Sequence, residues 1–180
     1  MAKTLTTVTA ALALMPAGAQ AAENAFDISG AAAVVTDYVS RGVSYSNGHA
    51  AVQGSLTWSK AGGIDGLHVD GWVSSIDFGP GDPAKAELWG TLGYSKAFGP
   101  LTFDAGVAYT AYAGAPRALH YAYYDAFASV SGALEAATVT ATVRHTPDYS
   151  GAAGPATFID LAAEAPVTGL FSIEGGLGRA

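Results

Sequence analysis

Four histidines, His49, His68, His120 and His145, are the side chains best suited to proton transfer or metal binding in this chain of 180 residues. None of them lies in the G-x-S-x-G or H-E-x-x-H context that marks serine hydrolases or zinc hydrolases, and no tight ligand spacing suggests a metal site. The chain has no Cys, which excludes disulfides, thiolate ligands and cysteine nucleophiles. We therefore predict no catalytic residues, no metal and no cofactor, so the protein is not expected to be an enzyme.

From residue 26 onward the chain alternates apolar side chains with polar or small ones, a period typical of β-strands. In the segment 101–112, Leu101 and Phe103 fall on one face, whereas Thr102 and Asp104 fall on the other. The many Thr, Val and aromatic residues also favour strands over helices. The alternation predicts nine strands, at 26–40, 50–59, 66–77, 85–96, 101–112, 120–132, 136–145, 156–165 and 169–178.

The connections between these strands alternate in length. Long connections are predicted near 41–49, 78–84, 113–119 and 146–155, and short ones near 60–65, 97–100, 133–135 and 166–168. Such alternation is typical of outer-membrane barrels, so the sequence predicts an all-β fold, an antiparallel up-and-down transmembrane β-barrel. Because a barrel that starts and ends on one side of the membrane needs an even strand number, we expect about 10–12 strands when complete and a truncated C-terminus.

The composition favours a membrane barrel over a soluble β-sandwich or lipocalin-like barrel, which would also alternate. Charged residues make up 13% of the chain, against about 25% in an ordinary soluble domain. Lys and Arg together number 8 and form no cluster that could bind nucleic acid. Aromatic residues gather near strand ends, where girdles at the membrane interface are expected: Phe26, Tyr38, Trp58, Tyr94, Phe98, Phe103, Tyr109, Tyr112 and Phe171.

Residues 1–21 have the features of a secretory signal peptide. Lys3 supplies the positive start, residues 5–15 form an apolar stretch too short to span a membrane, and Ala19, Gln20 and Ala21 form an A-x-A cleavage site. We therefore divide the chain into a signal peptide at 1–21 and a barrel domain at 22–180. Cleavage near Ala21 is expected to send the protein to the bacterial outer membrane, with membrane lipid and the barrel-assembly machinery as partners.

The polar residues of the alternating strands fall opposite the apolar ones, and we predict that they line a lumen. The candidates are Asp27, Asp37, Arg41, Gln53, His68, Asp70, Trp72, Glu87, Trp89, Asp104, Asp125, Arg144, Asp160, Glu164 and Glu174. Because acidic residues dominate this set, a water-filled lumen would favour cations or neutral solutes. Asp37 and Arg41, four residues apart near the outer end of the first predicted strand, are expected to form an ion pair. Alternatively, Arg144 and its acidic neighbours form a polar network that fills a narrow barrel.

Several stretches of the sequence resemble one bacterial family: residues 26–29, 36–44, 51–54, 71–78, 87–94 and 146–149. The stretch T-D-Y-V-S-R-G-V-S at 36–44 is similar to the S-D-Y-V-F-R-G-V-S opening of the TorF-type porin family of proteobacterial outer membranes, formerly the Gcw_chp conserved hypothetical proteins. The resemblance covers most of the chain after the signal peptide. It implies an outer-membrane β-barrel with a porin role.

The predicted function is a porin-like channel of the outer membrane for passive diffusion of small solutes or ions. Two alternatives come from other classes. One is a non-conducting structural or adhesion barrel. The other is a small lipid-modifying enzyme of the outer membrane that carries a Ser, a His and a carboxylate on its outer surface.

Overall fold

A computed structural model describes residues 26–60, 66–135, 137–168 and 171–179, with only the backbone described at 26, 60, 166–168 and 171–179. The predicted signal peptide at 1–21 lies outside these ranges. Within the described ranges the fold is all-β and the long strands number nine, as predicted: β1 (Phe26–Val35), β4 (Ala51–Lys60), β5 (Leu67–Ser75), β6 (Ala86–Phe98), β7 (Leu101–Ala113), β8 (Tyr123–Leu134), β9 (Ala137–Thr146), β10 (Ala156–Thr168) and β11 (Phe171–Arg179). A small hairpin of β2 (Val39–Ser40) and β3 (Val43–Ser44) lies between β1 and β4.

The nine long strands form one antiparallel sheet in which each strand pairs with the next one along the chain. This order is the predicted up-and-down arrangement, and the sheet curls into a half-barrel. In the part of the chain that the structure describes, β1 pairs only with β4 and β11 only with β10. Closure of the sheet into a transmembrane barrel therefore stays a prediction.

The two faces of the sheet differ as the alternation predicts. Aliphatic side chains are exposed on the convex face: Ile28 is 63% exposed, Val107 55% and Ile159 61%. Along β7, exposed residues alternate with buried or half-buried ones through most of the strand, so that Phe103 is exposed whereas Asp104 and Thr110 face the concave side. The sheet thus has an apolar convex face and a polar concave face.

The connections alternate in length, so the long ones gather at one end of the sheet and the short ones at the other. The long connections are 36–50, 76–85, 114–122 and 147–155, and the short ones include Gly99 and Pro100 between β6 and β7. We call these the long-loop end and the short-turn end. One turn of 3-10 helix, Arg117–Leu119, lies in a long connection, and no helix among the described residues is long and apolar enough to cross a membrane.

The buried apolar core lies at the long-loop end, inside the curl. Ile76, Ala84 and Tyr112 are buried together, and the side chains of Tyr38, Tyr45, Ala115, Tyr121 and Tyr123 pack against them. The prediction that Tyr38 and Tyr112 belong to an outer girdle is therefore wrong, because both rings point into the concave side. In β7, Tyr112 has the same parity as Asp104 and Thr110, so its position in the strand already turns it inward, whereas Tyr38 lies in a loop that folds inward. Tyr94, Phe98, Phe103 and Tyr109 are exposed, as a girdle requires.

The first long connection differs most from its prediction. The strand predicted over 26–40 ends at Val35, and Asp37 lies beyond it. Arg41 has a φ of 48° and Gly42 a φ of 80°, so the chain reverses there and strand parity no longer applies. The expected Asp37–Arg41 ion pair is not formed, because each residue has other partners, which are described below.

Candidate functional site: two polar cavities in the concave face

Two cavities lie in the concave face. The short-turn cavity has a volume of about 560 Å³ and is lined by Asp27, Ser59, Gly66, Leu67, His68, Asp70, Ser95 and Asp104. The long-loop cavity has a volume of about 340 Å³ and is lined by Tyr38, Ser40, Arg41, Trp72, Glu87, Trp89, Thr110, Tyr123, Asp125 and Arg144. Most of the predicted lumen residues line one of these two cavities on the concave face.

In the short-turn cavity, His68 lies between two carboxylates. Its Nδ1 is 2.6 Å from Asp70 Oδ2, and its Nε2 is 3.0 Å from Asp104 Oδ1. An ionised carboxylate only accepts hydrogen bonds, so this geometry fits an imidazolium that donates from both nitrogens. A ring with both nitrogens occupied has no free acceptor with which to activate a nucleophile.

The ring of His68 reaches from β5 to β7 because the residue between them on β6 has no side chain. Gly93 on β6 pairs with both His68 and Gly106. A Cβ at this position would collide with His68 Nε2 and Cε1. Gly93 therefore makes the room in which the imidazole crosses its strand.

Hydroxyl groups on two further strands donate hydrogen bonds to Asp70. The hydroxyl of Thr57 on β4 donates to Asp70 Oδ1 at 2.8 Å, and that of Thr91 on β6 donates to Oδ2 at 2.6 Å. Including Asp27, the cavity holds three carboxylates against one imidazolium. Its electrostatic field therefore favours positive charge.

In the long-loop cavity, Arg144 on β9 lies among aromatic rings. Its guanidinium carbon is 5.4 Å from the centre of the Trp89 ring and 5.3 Å from that of Phe127, distances at which cation–π attraction operates. Its Nη1 donates to Asp125 Oδ1 at 3.4 Å. The Asp125 side chain is only 7% exposed, so Arg144 provides the positive charge that a buried carboxylate requires.

Glu87 is the second buried carboxylate of this cavity. The hydroxyl of Tyr38 donates to its Oε2 at 2.9 Å and that of Tyr112 to its Oε1 at 3.3 Å. Tyr38 belongs to the first long connection, so this contact fastens that connection to β6. Tyr38 also meets Trp72 edge to face, with ring centres 5.4 Å apart.

Arg41 brings a second guanidinium into the same cavity from the first long connection. It lies 3.7 Å from the centre of the Phe158 ring on β10, and its Nη1 donates to Tyr149 Oη at 3.4 Å. The first long connection starts at the end of β1, so it crosses the mouth of the half-barrel to reach β10. The connection therefore narrows the long-loop end.

Short local hydrogen bonds fix the shape of this connection. The hydroxyls of Ser44 and Ser46 donate to Asp37 Oδ1 at 2.6 and 2.9 Å. These bonds, the Ser44 bond first, hold the pKa of Asp37 below its usual range. The backbone N–H of Asp77 donates to the carbonyl of Tyr45 at 2.8 Å, which ties the connection to the next long one.

The remaining predicted lumen residues lie outside both cavities. Gln53 donates from Nε2 to Ser74 Oγ at 3.4 Å, Asp160 is half-buried on the concave face of β10, and Glu164 on the same strand is exposed. The side chain of Glu174 lies outside the described residues. Sequence reasoning missed Phe127 and Phe158, although parity with Asp125 and Asp160 would have placed both rings inward. It also missed Tyr149, for which a loop residue gives no parity signal.

Neither cavity has the features of a metal site. Across the described ranges, no three His, Asp or Glu side chains are grouped so that they could hold a metal ion. The arrangement instead provides fixed charges of both signs on a curled, polar surface.

Comparison with known proteins gives one family. A family described as a bacterial protein of unknown function (Gcw_chp) matches residues 19–180, which agrees with the Gcw_chp part of the sequence resemblance. No curated protein and no solved structure matches the chain. The TorF and porin names stay predictions.

Proposed function

The chain belongs to the Gcw_chp family, and we propose that it is a porin-like channel of the bacterial outer membrane that lets small cations and neutral solutes diffuse passively. The observation that carries the proposal is the contrast between the two faces of the sheet. The convex face exposes aliphatic side chains such as Leu56, Leu92 and Val107, whereas the charged groups that line the two cavities lie on the concave face. If the convex face were in water, the protein would expose an unusually extended apolar surface to solvent.

A lipid environment accounts for this contrast. In a bilayer the apolar band faces hydrocarbon, and a charged side chain on that face would cost about 2–4 kcal/mol at the midplane for Arg or Lys. The same environment requires that every strand edge be paired. The proposal therefore includes closure of the half-barrel, with the concave face as the lumen.

The charges of the concave face support the expected selectivity. The short-turn cavity holds Asp27, Asp70 and Asp104 against His68, and a water-filled passage with this excess concentrates cations. The long-loop end is narrowed by aromatic rings and by the first long connection. We therefore expect small conductance and exclusion of large solutes.

Planar-bilayer recording of the full-length protein tests the proposal. Discrete channels with cation preference are expected, and Asp27→Asn should lower the cation-to-anion permeability ratio because Asp27 lines the short-turn cavity. Glu135→Gln is the matched control, since Glu135 lies at the same end, between β8 and β9, but outside the cavity lining. Absence of channels in a correctly inserted protein, or anion preference, would overturn the proposal.

The buried aromatic cluster favours a second candidate, a non-conducting structural barrel. Ile76, Ala84 and Tyr112 with their aromatic neighbours fill part of the long-loop end, and side chains can fill small barrels completely. The bilayer recording separates the two candidates, since a filled barrel inserts without conducting. The enzyme alternative receives no support from His68, because both of its ring nitrogens face carboxylates.

A further inference from the structure

The long-loop cavity differs from the short-turn cavity in its balance of charge. Two guanidinium groups, of Arg41 and Arg144, line it together with two carboxylates, of Glu87 and Asp125. Its volume of about 340 Å³ lies at the small end of the range for ligand pockets. Such a space suits a solute of amino-acid size.

The four charged groups come from four different elements. Arg144 lies on β9 and Asp125 on β8, Glu87 lies on β6, and Arg41 reaches in from the first long connection. That connection is fastened by the Tyr38–Glu87 hydrogen bond and by an edge-to-face contact between Tyr45 and Phe78, with ring centres 5.3 Å apart. The walls of the cavity are therefore pre-organised.

Both guanidinium groups have N–H donors that make no hydrogen bond within the described part of the chain. An Arg side chain carries five N–H donors in a flat fork that suits carboxylates. Within the described part of the chain, Arg41 and Arg144 each make one side-chain hydrogen bond, and both are long, at 3.4 Å. The guanidinium carbon of Arg41 lies over the Phe158 ring at 3.7 Å, and that of Arg144 lies 5.4 Å from the centre of the Trp89 ring and 5.3 Å from that of Phe127. These cation–π contacts use none of the N–H donors.

Resting on the proposed channel function, we propose that the long-loop cavity is a selectivity site for small zwitterions, solutes that carry one carboxylate and one ammonium group. The solute carboxylate is bound by Arg41 and Arg144. Its ammonium group faces Asp125, Glu87 and the ring of Trp72. A solute with only one charge meets an uncompensated repulsion on one side, which a zwitterion avoids.

Solute flux into proteoliposomes containing the full-length protein tests this site. The probes are glycine as zwitterion, glycolamide as its neutral analogue of similar size, glycolate as anion and ethanolamine as cation. Glycine is expected to enter faster than the other three. Arg41→Gln and Arg144→Gln should each slow glycine entry about tenfold, the scale of a lost hydrogen bond to a charged group, with little effect on glycolamide.

The control is Arg117→Gln, which removes the same charge from an exposed residue at the long-loop end, outside the cavity lining. Glycolamide flux in the same vesicles reports folding and insertion of each variant. If the unaltered protein admits none of the four probes, the channel function itself is wrong. If glycolamide enters and glycine is no faster, or if Arg117→Gln slows glycine as much as Arg41→Gln, the selectivity site is overturned. Faster entry of all four probes in Arg41→Gln would overturn it too, since Arg41 would then only narrow the mouth.

Discussion

Replacing Gly93 with Ala should break the contact between His68 and its two carboxylates. The Cβ of the new residue would occupy the space in which the imidazole crosses β6, colliding with His68 Nε2 and Cε1. The ring must then turn away, because Gly93 lies in the middle of a paired strand and cannot shift easily. Asp104 Oδ1, at 3.3 Å from the same Cβ, needs only a small adjustment.

The expected loss of stability follows from the two hydrogen bonds that His68 makes. A hydrogen bond to a charged group contributes about 1.5–3 kcal/mol. The His68 side chain is 16% exposed and those of Asp70 and Asp104 are each 24% exposed, so water screens part of this interaction. We therefore expect Gly93→Ala to lower the free energy of unfolding by about 2–3 kcal/mol.

Urea unfolding of the protein in lipid vesicles, followed by tryptophan fluorescence, measures this change. Gly90→Ala is the matched control, because a Cβ at Gly90 on the same strand meets only the Asp70 carbonyl, at an ordinary 3.7 Å. A second experiment makes the Gly93→Ala change in a protein that already carries His68→Ala. The obstructed ring is then gone, so the added methyl group should lower the free energy of unfolding only slightly. Equal costs for Gly93→Ala in both backgrounds, or equal stability of the Gly93 and Gly90 variants, would refute the reasoning.

Three further predictions concern the long connections. Asp37→Ala should loosen the hairpin that its hydrogen bonds with Ser44 and Ser46 hold, so trypsin should cleave after Arg41 faster than in the unaltered protein, and unchanged cleavage would contradict this. The pKa of Asp37 is lowered in the folded protein. The stabilisation by its ionised carboxylate is therefore present above the ordinary carboxyl pKa and is lost as the pH falls through the folded pKa. An NMR titration giving a pKa at or above 3.8 for Asp37 would count against this prediction. The hydrogen bond from Tyr121 to Asp82 raises the pKa of Tyr121 above 10.0. Ultraviolet titration should therefore show that the pKa of Tyr121 falls toward 10.0 in the Asp82→Asn variant. An unchanged pKa would mean that the hydrogen bond does not persist in solution.

The strand pattern could be predicted because it depends on local alternation. In β7 each side chain takes its face from its position in the strand, since successive Cβ atoms point to opposite sides. The positions of the long and short connections follow from the same alternation, because the connections are the stretches between the alternating segments. Even His68 and Asp70, two residues apart, could be placed on one face from the sequence.

The first long connection could not be predicted in this way. The positive φ of Arg41 and Gly42 reverses the chain, and a parity count carried past Val35 assigned Asp37 and Arg41 to a strand that had already ended. No spacing rule relates Arg41 to Phe158, because the two residues are brought together by the curl of the whole sheet. The inward direction of Tyr38 has the same origin.

The sequence by itself determined that the chain forms antiparallel strands with one apolar face and one polar face, because that division is a property of each strand alone. Only the tertiary structure decided which polar groups meet. Asp104 joins His68 across β6 because register places Gly93 between them, and Arg41 joins Arg144 because the first long connection crosses the curled sheet. These contacts depend on distances between strands far apart in the chain, and alternation along a single strand carries no information about those distances.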